Sequence, residues 1–224
     1  MKTNTKINIP SFSEQVALLK EQMKTAAPAE ILSVFSKEAE DLGISEVAKN
    51  ALQPGMEAPL FTLPDAVGNL ISLQDALNKG SVVISFYRGI WCPYCNLQLK
   101  LFQEILPQIR AHNSTLIAVS PNTPDYSMSM KVKHSLEFDV LSDFDNLVAK
   151  QYHIVFCQSD HVAEVGKKLG ADISVFNGVN KREIPVPATF IIDRKGIIRF
   201  TFAYGNYTKR VEPQKLLDEL GKIS

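Results

Sequence analysis

Residues 81–99 read Ser-Val-Val-Ile-Ser-Phe-Tyr-Arg-Gly-Ile-Trp-Cys-Pro-Tyr-Cys-Asn-Leu-Gln-Leu, and their order decides the fold. Residues 81–87 are nearly continuous in apolar character, as in a strand at the centre of a sheet covered on both faces. A loop carrying Trp91-Cys92-Pro93-Tyr94-Cys95 follows, and a helix is predicted from about Cys95 to Ala111, with Pro107 imposing a kink or a break. The two cysteines therefore stand where a strand hands over to a helix. Unpaired N–H groups and the positive end of the helix dipole favour a thiolate there. Pro93 suits the first helical position, where its missing N–H costs nothing. The two-residue spacing lets both sulfurs close a small disulfide ring.

Outward from this stretch, strands and helices alternate. A short strand is predicted at 60–63, followed by a polar turn at 64–69, and residues 71–73 lead into a short helix with Ser72 as its N-cap. A buried strand at 115–120, a helix to about His134, a strand at 139–143 and a helix at 146–152 come next. Residues 190–193 and 197–200 flank a Lys195-Gly196 turn and predict a hairpin. A last helix spans 213–223. Strand–helix alternation closed by a hairpin predicts an α/β three-layer domain with a mixed sheet and helices on both faces.

Pro54-Gly55 punctuates the chain and divides it into a helical extension (1–53) and the domain proper (54–224). Within the extension, Ser11 and Ser13 are N-cap candidates, Ala26-Ala27-Pro28 breaks the first helix, and Gly43 ends the second. A short helix is expected at 45–52. The extension either covers the core or forms a dimer interface.

Lys+Arg and Asp+Glu balance at 24 each, which gives no basic excess for nucleic acid and no polybasic stretch for an anionic membrane. The N-terminal residues lack the apolar region of a secretory leader, and no apolar run is long enough to span a bilayer. A cytoplasmic protein is expected. Its three cysteines are too few for a disulfide scaffold and point to redox or metal chemistry. A structural zinc needs four ligands, and Cys157 with His112, His134, His153 and His161 offers no second pair at zinc spacing. No metal and no cofactor is expected.

The blocks PGMEAPLFTLPDAVGNLISLQDAL, SFYRGIWCPYCNLQL and VPATFIIDRKGIIRF, in that order, resemble the peroxiredoxin (AhpC/TSA) branch of the thioredoxin superfamily. The resemblance is closest to its peroxiredoxin-like proteins with a thioredoxin-type CxxC and covers roughly 54–223. It implies a thioredoxin-like, peroxiredoxin-type sandwich. The family's Pro-x-x-x-Thr-x-x-Cys motif puts its peroxidatic cysteine on Cys95, with Cys92 at the Thr position and Arg88 at the Pro position. The family arginine before the Thr-Phe-Ile-Asp strand has no counterpart in Val186-Pro187-Ala188-Thr189. Against thioredoxins, Cys92 falls on the nucleophile, Cys95 on its resolving partner, and Pro187 on the cis-proline that faces the dithiol.

Three functions follow. The first is a thiol-dependent peroxidase acting on hydrogen peroxide or organic hydroperoxides through Cys95 and Cys92, recycled by a thioredoxin-like or glutathione-type reductant. The second is a dithiol–disulfide oxidoreductase acting on protein or glutathione disulfides, with Cys92 as attacker. The third is a redox-responsive binding module. Arg88 either stabilises a thiolate and holds a peroxide oxygen or is a solvated loop side chain. Arg210 either reaches the site or sits in a salt bridge. Cys157 is expected to be buried and inert, and residues 158–184 to be a lid or a partner surface.

Overall fold

The computed structural model describes residues 9–223, so residues 1–8 of the stretch weighed as a leader lie outside it. Two helices come first, α1 (Phe12–Ala26) and α2 (Ala29–Ile44). Ser11 caps α1 by accepting the Glu14 N–H at 3.3 Å, and Pro28 stands at the N-cap of α2. Val16, Leu19 and Met23 of α1 pack onto the core of the domain. Gly43 lies inside α2. The helix expected at 45–52 is instead a run of turns, because Leu52 is drawn away: its N–H goes to Tyr152 O at 3.4 Å and its carbonyl takes the Thr201 hydroxyl at 2.8 Å.

Strands β1 (Thr62–Pro64) and β2 (Leu70–Ser72) pair antiparallel, and Ser72 caps α3 (Leu73–Lys79) through the Asp75 N–H. Then come β3 (Ser81–Phe86), α4 (Pro93–Glu104) and α5 (Leu106–Ala111), the predicted break falling at Ile105 just before Pro107. They are followed by β4 (Ser114–Ser120), α6 (Pro124–Lys133), β5 (Asp139–Ser142) and α7 (Leu147–Gln151). Residues 158–184 run from the end of β6 (Val155–Cys157) through α8 (Asp160–Lys168) and α9 (Ile173–Asn177) into β7 (Glu183–Pro185), which pairs antiparallel with β6. The chain ends with β8 (Ala188–Ile192), β9 (Ile198–Ala203) and α10 (Pro213–Leu220).

The main sheet runs β5-β4-β3-β8-β9, with β3, β4 and β5 parallel and the β8–β9 hairpin antiparallel. Side chains alternate across it. Val83 faces a core with Leu99, Phe102, Ile109 and Leu216, while Val82 and Ile84 face the other side with Leu73, Leu77 and Tyr152. Both faces are covered, which is why Val82, Val83, Ile84 and Phe86 of this strand are all apolar and buried. The result is the predicted three-layer thioredoxin-like arrangement. Among the described residues no helix is long and apolar enough to cross a membrane.

Phe190 sits at the centre of the second core, 6.0 Å from the Phe86 ring and 5.0 Å from the Tyr152 ring. Phe190→Ala is expected to cost about 3–5 kcal/mol of stability, read by denaturant unfolding with the fluorescence of Trp91, the chain's single tryptophan, as probe.

Candidate active site

The parallel strand β3 ends at Phe86, and the chain must turn before α4. Gly89 makes that turn at φ +149°, where a Cβ would collide with the Trp91 indole and the Asn122 amide. The turn is then tied by two asparagines. Asn122 Oδ1 accepts the Ile90 N–H at 2.8 Å, and its amide donates to Asn177 Oδ1 at 2.9 Å. The Asn96 amide donates to the carbonyls of Ile90 (2.6 Å) and Cys92 (2.9 Å), and its Oδ1 meets His134 Nε2 at 2.8 Å. Neither Asn96 nor Asn122 was singled out in the sequence, because a lone asparagine gives no signal until the fold brings it to a loop carbonyl or N–H.

Cys92 is the N-cap of α4 and Cys95 lies in its first turn, with the Cys95 N–H bonded to Cys92 O at 3.1 Å. Both are free thiols, buried and 3.2 Å apart. That is in contact but beyond the roughly 2.05 Å of a disulfide bond.

Two guanidiniums flank the pair. Arg210, buried in the segment before α10, donates from Nη2 to Cys95 Sγ at 3.3 Å. Its Nη1 donates to the carbonyls of Tyr207 and of Lys209, the latter at 2.9 Å. Of the two readings open for Arg210, the structure bears out the one that reaches the site. Arg88 is not a solvated loop residue: its side chain is 3% exposed. Its guanidinium lies 3.7 Å from the Tyr207 ring and 4.9 Å from the Trp91 ring, and Nη2 meets Glu38 Oε2 at 3.4 Å. Glu38 and Tyr207 escaped the sequence reading, Glu38 because it lies in the helical extension.

These charges separate the two thiols. Burial pushes Cys95 up, but the hydrogen bond from Cys92, the Arg210 charge, a backbone hydrogen bond from Arg88 and the Arg88 charge overcome it and bring its pKa down to about 5. Cys92 is held well above the usual thiol range by burial and by donating to, and being repelled by, the Cys95 sulfur. At neutral pH the pair is one thiolate and one thiol.

Pro187 is buried just before β8, whose Ala188 pairs with Phe86, so it lies at the sheet end that carries the dithiol loop. Its peptide bond is trans rather than the expected cis, as no bond among the described residues is cis. Val186 continues the pairing of β7 in an extended line, with its N–H on Ile154 O at 2.7 Å, and the chain runs on into β8. Cys157 is exposed rather than buried: it lines a surface groove between α2 and α8. Among the described residues no cluster of His, Cys, Asp and Glu side chains is placed to hold a metal ion.

Residues 54–201 match the AhpC/TSA family. A putative peroxiredoxin bcp of Coxiella burnetii is 29% identical over 148 residues, covering 66% of this chain and 86% of that one. The chloroplastic peroxiredoxin Q of Suaeda salsa is 24% identical and covers 97% of both chains. Among solved structures, the peroxidoxin BcpB of Mycobacterium tuberculosis superposes with a TM-score of 0.60 at 19% identity, covering 77% of this chain and 99% of that one. A peroxiredoxin-like protein from Aquifex aeolicus gives 0.62 at 17% identity, covering 78% and 89%.

Removing the Arg210 charge is expected to raise the Cys95 pKa. Because that pKa is about 5, the native thiolate fraction climbs as pH rises through that value and is complete at neutrality. In Arg210→Met the same curve is expected to move up by about one to three units, read by the ultraviolet absorbance of the thiolate across pH.

Proposed function

The chain belongs to the AhpC/TSA family, and on that premise we propose that it is a thiol-dependent peroxidase in which Cys95 attacks the peroxide and Cys92 resolves it. The observation that carries the reading is geometric: Arg210 Nη2 donates to Cys95 Sγ at 3.3 Å, and among the described residues Cys92 has no such partner. That contact draws the Cys95 thiol down, while burial and the neighbouring sulfur hold Cys92 up.

The Cys95 thiolate attacks the terminal oxygen of the peroxide. The S–O bond forms as the O–O bond breaks, leaving Cys95 as sulfenic acid and releasing an alkoxide or hydroxide that takes up a proton. Arg88 and Arg210 are the fixed donors beside the reacting oxygens, and each has a buried Nε with no protein partner. Preorganised positive charge of this kind stabilises the negative charge that develops on the departing oxygen. The Cys92 sulfur then displaces the sulfenic hydroxyl, which leaves as water with the Cys92 proton. A Cys92–Cys95 disulfide results. The sulfurs already touch across one helical turn, so ring closure needs only a small movement. A thioredoxin-type dithiol returns two electrons by disulfide exchange. In sum, one peroxide and one dithiol give one alcohol or water, one water and one disulfide.

The disulfide oxidoreductase reading needs Cys92 as the thiolate, whereas it is Cys95 that the Arg210 guanidinium contacts. Hydrogen peroxide and organic hydroperoxides are the substrate class of the proposal. The few free cysteines support a reducing, cytoplasmic setting, and the proposal includes the homodimer for which the helical extension offers a surface.

Site-resolved trapping after a short hydrogen peroxide pulse tests the reading. Sulfenic acid is expected at Cys95, transiently in the native chain and persistently in Cys92→Ser. Cys95→Ser is expected to reduce peroxide consumption to that of free cysteine. Modification at Cys92 alone would overturn the assignment.

A further inference from the structure

Glu38 lies on α2, outside the residues 54–201 that match the family, yet its side chain is only 8% exposed and faces the dithiol loop. Its two carboxylate oxygens are each engaged. Oε2 accepts from Arg88 Nη2 at 3.4 Å, and Oε1 accepts from Gln158 Nε2 at 3.0 Å. Gln158 is itself buried, and its backbone N–H is bonded to Arg182 O at 2.9 Å. One turn earlier on α2, the Phe35 carbonyl accepts the Tyr207 hydroxyl at 2.7 Å. Residues three apart share a helix face. That face therefore grips both Arg88 and the aromatic ring on which Arg88 stacks.

We propose that Glu38 is a positioning residue of the reaction centre: it holds the Arg88 guanidinium against the Cys92–Cys95 pair and so makes α2 a part of the active site. The proposal rests on the peroxidase reading for its catalytic meaning.

The physical argument is about a buried cation. Arg88 is out of water, and Glu38 is the carboxylate bonded to it. A buried charge that loses its partner is strongly unfavourable and moves to regain solvent. A way out lies next to it. Glu38 lines a groove of about 450 Å³, open to the surface, together with Phe156 and Cys157. The groove's other titratable side chains are Lys37, paired with Asp41 at 3.1 Å, and His161. Without the Glu38 carboxylate, Arg88 swings into this groove. The Cys95 sulfur then keeps Arg210 and loses the second cation that lowers its pKa.

The test follows the full-length dithiol protein with Glu38→Gln, Glu38→Ala, Glu38→Asp, Arg88→Met and the Glu38→Gln/Arg88→Met double variant. The first readout is the pH profile of Cys95 alkylation by iodoacetamide, resolved by mass spectrometry. The second is the rate of thiol oxidation by hydrogen peroxide. Glu38→Gln keeps the shape of the side chain and carries the test if Glu38→Ala does not fold. The Cys95 midpoint is expected to rise by about one pH unit in Glu38→Gln and in Arg88→Met. Alkylation below the midpoint slows about tenfold in each. The double variant is expected to shift no further than Arg88→Met, and Glu38→Asp to recover part of the native profile. A midpoint that stays put or falls in Glu38→Gln overturns the proposal. So does a Glu38→Gln shift that persists undiminished in the Arg88→Met background, since the residue would then not act through Arg88. If the native chain oxidises no faster than free cysteine, the peroxidase reading fails, while the alkylation profiles still decide the role of Glu38.

Discussion

Two guanidiniums are buried within reach of two sulfurs, and the surrounding structure is arranged around that fact. Arginine stays charged under all ordinary conditions, and removing such a cation from water costs of order several kcal/mol unless an anion faces it. Arg88 and Arg210 bring two positive charges into the site, and Glu38 supplies one negative. A single thiolate completes the balance. Ionisation of Cys95 is therefore a condition for burying both arginines comfortably, and the same arginines are what draw its pKa down. A second thiolate would add an unmatched negative charge 3.2 Å from the first. Cys92 accordingly keeps its proton.

Holding that balance requires parts of the chain that are far apart in sequence. The loop after β3 supplies Arg88 and the cysteines, the segment before α10 supplies Tyr207 and Arg210, and α2 supplies Glu38 and the Phe35 carbonyl. Residues 158–184 contribute Gln158 to Glu38 and Asn177 to Asn122, which in turn fixes the Ile90 N–H. These contacts give the segment a supporting role on both sides of the dithiol. The sheet is the frame that lets them meet. With β3 between parallel β4 and antiparallel β8, its carboxyl end opens onto α4, where side chains from either flank converge.

Much of this was legible in the sequence because it is local. The apolar run at 81–87, the caps at Ser11 and Ser72 and the break ahead of Pro107 each follow from a few neighbouring residues, and so does the placing of Cys92 and Cys95 at a helix start. What was not legible depends on contacts between distant residues. The helix expected at 45–52 gave way to turns because Leu52 is claimed by Tyr152 and Thr201. Pro187 is trans, the isomer an X–Pro bond ordinarily prefers, although its position in the chain matched that of a cis-proline. Cys157 is exposed because β6 lies at the edge of a groove rather than in either core. Glu38 looks in the sequence like one more charge on an amphipathic helix, and only its place against Arg88 distinguishes it.

The choice of cysteine at position 92 has a cost that the geometry makes visible. Helix α4 begins with no side-chain cap at all. A threonine or serine there would accept one of the free N–H groups and stabilise the helix by about 1 kcal/mol. Cysteine is a weak acceptor, and the Cys92 thiol turns instead toward the sulfur of Cys95, to which it donates. In the proposed peroxidase reaction, one side chain thus serves two steps in order. As a thiol it lowers the pKa of the sulfur that attacks, and once that sulfur has become a sulfenic acid, the same group is already in contact with it and closes the ring. The stability forgone at the helix start places the proposed resolving partner beside the proposed attacking one, so that second step would need no long rearrangement of the chain.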